Sequence, residues 1–126
     1  IESLSTTNAE AVTLDKRLEQ ARVMIDSLVV GHRADAIVFG GDFNTATEAG
    51  QLRMRRLMRK AGFRPVRPPP GPTASSRFNV IGWELILDYI YYRGLRPGAA
   101  GVDRSADASD HYPVWAVFGW PPEPIP

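Results

Sequence analysis

The chain has 126 residues, a formal net charge of +1 and no cysteine. That length holds one domain at most, no run of about 18 apolar residues exists to cross a membrane, and a disulfide framework or thiolate metal site is excluded. The near-neutral total hides an uneven distribution, because Arg53, Arg55, Arg56, Arg59, Lys60, Arg64 and Arg67 follow one another with no acid among them.

The sequence opens on Ile1 in mid-pattern, with no signal-like segment, as expected of a fragment or a processed form. From about Asn8 to Val29 the spacing predicts an amphipathic helix, with Leu14, Leu18, Ala21, Ile25 and Leu28 forming one apolar stripe. Thr7 with Glu10, or Asn8, supplies a cap, and Gly31 a stop. His32 lies in the polar connector that follows and reads as a solvent-facing loop histidine. Ala36 to Gly40 then reads as a buried strand opening into the turn Gly40-Gly41-Asp42-Phe43-Asn44-Thr45, which places Asp42 and Asn44 at its carboxyl end, where open α/β sheets bind ligands.

A second helix is predicted from Thr47 to Ala61, with Leu52, Leu57, Met58 and Ala61 on its buried side and Gly62 as its stop. Its opposite side carries Arg53, Arg56, Arg59 and Lys60, which suits a polyanion such as nucleic acid or anionic lipid headgroups, and equally the solvated side of an ordinary helix. Arg67 to Pro72 is too rich in proline for helix or central strand and reads as a stiff connector. Thr73 to Asn79 reads as loop, and Trp83 to Tyr92 as one strand with Asp88 in its middle. A carboxylate there is costly to bury unpaired, so Asp88 needs a dedicated partner. Trp83, Tyr91 and Tyr92 offer rings for stacking or for the core, and the core is expected to take at least two of them. Leu95 to Ala108 reads as a loop leading to Ser109-Asp110-His111, and Tyr112 to Phe118 as the last strand. A proline-rich tail, 119–126, closes a single partial domain.

Acidic signals thus stand on three predicted strands: Asp42 with Asn44, Asp88, and Asp110 with His111. Together they fit a hydrolytic phosphoester site. Carboxylates hold a hard divalent cation through oxygen, an imidazole beside them contacts a phosphate oxygen, and a buried aspartate fixes that imidazole's tautomer and raises its pKa.

In this order Gly41-Asp42-Phe43-Asn44, Leu87-Asp88-Tyr89-Ile90 and Ser109-Asp110-His111-Tyr112-Pro113-Val114 resemble the carboxyl-terminal half of the endonuclease/exonuclease/phosphatase superfamily. The resemblance covers roughly Asp15 to Phe118. It implies an α/β (α+β sandwich) fold, here the carboxyl-terminal half of a four-layer sandwich with mostly antiparallel or mixed sheet and flanking helices. It also implies a Mg2+ (or Mn2+) dependent phosphodiesterase or phosphatase acting on nucleic acid, a phospholipid or an inositol phosphate. By that resemblance Asp42 orients or activates the attacking water and, with Asp110, offers carboxylate to the metal. Asn44 binds the phosphate, and His111 contacts it with Asp88 on its other ring nitrogen. The family's amino-terminal half would supply an asparagine, the principal glutamate ligand and a second histidine. None is present here, so the chain is expected to need that missing half and to be inactive without it. A different class of function is a non-catalytic polyanion- or partner-binding module built on the same fold. The intact set Asp42, Asn44, Asp88, Asp110 and His111 argues against it.

Overall fold

The computed structural model describes residues 2–30, 34–43, 47–67, 71–75, 84–85 and 88–121. Helix α1 runs Glu2–Ile25 and ends in a wider π-helical turn, Asp26–Val30. Helix α2 spans Glu48–Lys60. The strands are β1 (Ile37–Asp42), β2 (Arg64–Pro65), β3 (Ala74–Ser75), β4 (Glu84–Leu85), β5 (Asp88–Arg93), β6 (Arg96–Val102) and β7 (Val114–Gly119). Every strand pair is antiparallel, so the described residues form an α+β fold of two helices and antiparallel sheets.

The apolar stripe of α1 packs as its spacing requires. Leu18, Ala21 and Ile25 are buried, and Leu14 and Leu28 pack partly against the same cluster. The helix begins earlier than its capping pattern indicates, which places Thr7 and Asn8 inside it. Such residues are tolerated in a helix interior at about 0.5 kcal/mol each relative to Ala, so a cap motif permits a start without enforcing one. Gly31 and His32 lie outside the described residues.

In α2 the buried positions are Gly50, Met54 and Met58, spaced by four, with Leu57 and Ala61 partly covered. Leu52, expected inside, is 44% exposed. It sits two residues before Met54, about 200° around the helix and hence on its far side. Thr47 caps the helix, its Oγ1 accepting the Gly50 N–H at 3.1 Å. Gly62, at φ +87°, follows the Ala61 C-cap.

The central sheet has the order β1-β5-β2. The register of β1 on β5 runs from Ile37 opposite Arg93 to Asp42 opposite Asp88. Strand β1 therefore continues through both glycines, and Asp42 is its last residue instead of a turn residue. Alternation sends Phe39 and Tyr91 toward the helices, where they join Leu18, Ala21, Ile25, Met54, Met58 and Phe63 in one core. Burial pushes the Tyr91 hydroxyl up to about 12. Val38 points to the other face and is 47% exposed, so β1 is half-covered where a buried strand was expected. On that face Tyr92 meets Phe118 of β7, ring centroids 5.3 Å apart.

Three segments depart from the sequence reading. The run expected to form one strand from Trp83 to Tyr92 supplies strands to two sheets, β4 pairing with β3 and β5 with β1. Asp88 is thus the first residue of its strand, while Trp83 lies outside the described residues. Thr73 to Ser75, expected as loop, is buried and partly strand. The expected loop from Leu95 contains β6, which forms a hairpin with β7. Glycine and alanine have low strand propensity, but cross-strand packing overrides it here. The Trp115 indole lies across Gly101, where an added Cβ would stand 2.7 Å from the ring.

Candidate active site

Two carboxylates start the construction. Asp42 and Asp88 are directly opposed across the β1–β5 ladder, an arrangement that repels unless a cation or donor stands between them. The side chain standing there is His111. Its Nδ1 lies 2.8 Å from Asp88 Oδ2, in a hydrogen bond that the carboxylate accepts, and its Nε2 lies 3.8 Å from Asp42 Oδ2. The second distance is too long for a direct hydrogen bond, yet one oxygen atom seated beside the pair can contact both.

This environment raises the His111 pKa above its ordinary value of 6.5. The hydrogen bond to Asp88 is the main cause, partial burial opposes it, and the charges of Asp88, Asp42 and Asp110 add to it. With Nδ1–H held by Asp88, the proton gained on charging sits on Nε2, the nitrogen nearer Asp42. The Asp88 side chain is the more covered of the two carboxylates.

The chain holds His111 in place through a short strand that the sequence concealed. Ala74 bridges His111, Ser75 N–H donates to the Asp110 carbonyl at 2.8 Å, and Tyr112 N–H donates to the Thr73 carbonyl at 2.7 Å. Thr73 is 2% exposed, and its Oγ1 accepts the Asp88 N–H at 3.0 Å. Ser75 Oγ and the Tyr112 hydroxyl share a further hydrogen bond of 3.1 Å. Thr73 and Ser75 therefore belong to the site's framework. Their sequence signal is weak, because polar residues after a proline run are ordinary loop composition.

Of the residues singled out by sequence, Asp42, Asp88 and His111 converge. Asp110 adjoins them, its backbone carbonyl bound to Ser75 and its partly exposed carboxylate accepting Ser109 Oγ at 3.4 Å. Asn44 lies outside the described residues. Among the described residues no group of three or more acidic or imidazole side chains is arranged to hold a metal ion. The donors present are carboxylate oxygens, the right chemistry for a hard cation, but fewer than such an ion's six. A cavity of about 220 Å3 opens beside Gly41, Asp88, Tyr112 and Val114.

The sequence profile of the endonuclease/exonuclease/phosphatase family matches residues 7–111. A UPF0294 protein of Vibrio parahaemolyticus is 33% identical over 119 residues, covering 93% of this chain. A UPF0294 protein of Vibrio campbellii is 30% identical over the same length and share. The chain spans only 40% of the length of each of these curated relatives. No solved structure matches the chain.

Proposed function

The chain belongs to the endonuclease/exonuclease/phosphatase family, and from that premise we propose that it carries the phosphate-binding half of a phosphoester hydrolase site. The observation that supports this most is His111 held between two opposed carboxylates at the end of one sheet. Hydrolysis of a phosphoester asks mainly for positioning and for charge stabilisation, and needs no covalent group from the protein. In this reading His111 is charged and donates Nε2–H to a non-bridging phosphate oxygen. Asp88 fixes the ring, and Asp42 orients the water whose oxygen attacks phosphorus as the ester bond breaks. Asn44 would donate its amide to the same phosphate.

Members of the family commonly use divalent metals. We infer Mg2+ or Mn2+ here, with Asp42 and Asp110 contributing two carboxylates and the remaining ligands coming from water, substrate and residues outside this chain. Bound there, the ion would offset charge on the phosphate oxygens. The substrate is a phosphodiester or phosphomonoester of nucleic acid, a phospholipid or an inositol phosphate. The site is completed by an amino-terminal half, so this chain alone is inactive.

A second reading, a polyanion-binding module without hydrolysis, draws on the exposed Arg53, Arg56, Arg59 and Lys60 of α2. One experiment separates the two. In the intact protein, His111→Ala is expected to lower phosphodiester turnover by at least about a hundredfold while leaving polyanion binding in place, and chelation of the metal should abolish turnover until Mg2+ or Mn2+ is restored. Polyanion binding by the intact protein without any turnover removes the hydrolase reading, and turnover that survives both treatments removes His111 and the metal from it.

A further inference from the structure

At the other end of the central sheet is a cavity of about 720 Å3 whose walls include Arg59, Arg64 and Arg67. Tyr92 lines it too, opposite Arg64 in the β2–β5 register and in ring contact with Phe118. Along β5, Tyr92 is four residues from Asp88, roughly 14 Å at about 3.4 Å per residue, so this cavity is separate from the His111 site.

The arginines around this end of the sheet fall into two groups. Arg93 donates to the Ala61 carbonyl at 3.1 Å and lies over the Phe63 ring, and Arg96 donates to the Trp120 carbonyl. Those two serve the fold. Arg59, Arg64 and Arg67 are exposed and make no ion pair with a described acid, and no described acid lines the cavity. Three like charges gathered around one concavity oppose each other, and an anion seated among them reverses that repulsion. The opposite wall is a β-bulge: between Pro97 and Ala100, β6 has one residue more than the facing stretch of β7. Gly98, in that bulge, lines the cavity and offers backbone instead of side chain to whatever enters.

We propose that this cavity is a phosphate-binding site, distinct from the hydrolytic centre, that takes a doubly charged phosphate group. Arginine suits that ligand because its planar fork meets two phosphate oxygens at once. The phosphate can come from a small phosphorylated molecule or from a phospholipid headgroup.

The test uses the intact protein in the His111→Ala background, where the hydrolytic centre contributes least, with inorganic pyrophosphate as the calorimetric probe at low ionic strength. Arg64→Ala with Arg67→Ala is expected to weaken binding at least about tenfold, the value of one lost charge-assisted contact. The paired Lys replacements should recover part of it. Arg22→Ala, which removes an exposed cation paired with Glu19, should change it less than twofold. Circular dichroism must show the variants folded. Pyrophosphate affinity untouched by the Arg64 and Arg67 changes, or lowered as much by Arg22→Ala, overturns the proposal. A second arm measures pelting onto phosphatidylcholine vesicles with and without phosphatidylinositol phosphate. Co-sedimentation lost in the double variant identifies a headgroup, and pyrophosphate binding without it identifies a free phosphate.

Discussion

His111 couples the site to pH. Its folded-state pKa lies above 6.5 because Asp88 and its neighbours favour the charged ring. The stability this contributes is full below the unfolded value near 6.5 and is lost as pH rises through the higher folded value. Without added metal, the chain's melting temperature is therefore expected to fall on passing from about pH 6 through that window. Asp88→Asn should flatten the change and bring the His111 titration, followed by imidazole NMR, back toward 6.5. A His111 pKa unaltered by Asp88→Asn would mean that the 2.8 Å contact does not govern the ring. The sequence pointed to this pair in two steps: a carboxylate in an apolar run demands a partner, and the resemblance to the family implied that His111 is that partner. It concealed Thr73, whose tie to the Asp88 N–H depends on a contact 15 residues away that no local pattern encodes.

At the scale of elements, periodicity located both helices and the strand leading to Asp42, since each buries a face whose spacing is written in the chain. It failed for β6, where a run of Gly, Pro and Ala becomes a strand only because β7 lies beside it. It failed again for Trp83 to Tyr92, where continuous apolar composition cannot mark a change of partner sheet. Two substitutions test what fixes the elements. Thr47→Ala removes the acceptor for the Gly50 N–H and is expected to lower stability by about 1 kcal/mol in urea titration. Gly94→Ala should cost considerably more, about 3 kcal/mol, because Gly94 adopts φ +77° between β5 and β6 and a Cβ there would meet the Asp35 carbonyl, a backbone atom that cannot swing aside. If the two variants melt together, the β5–β6 junction is softer than its geometry indicates.

For the molecule as a whole, the helices cover one face of the central sheet, while Val38 on the other face and Trp115 and Val117 of the hairpin stay open. Large apolar groups left exposed on the sheet and on the hairpin are candidates for packing against something further. The chain on its own is therefore expected to bind 8-anilinonaphthalene-1-sulfonate with a fluorescence gain that the intact protein lacks. Equal dye binding by both would mean that these groups stay wet.

The buried Thr73 gives two distant stretches of sequence a common anchor: its hydroxyl receives the start of β5 and its carbonyl receives the residue after His111. In the proposed reaction, alignment of Asp88 and His111 is thereby delegated to a residue to which that reaction gives no chemical part. Drift in the segment around Thr73 would detune the chemistry while every reacting group stayed in the sequence, so an intact motif alone does not certify a working relative.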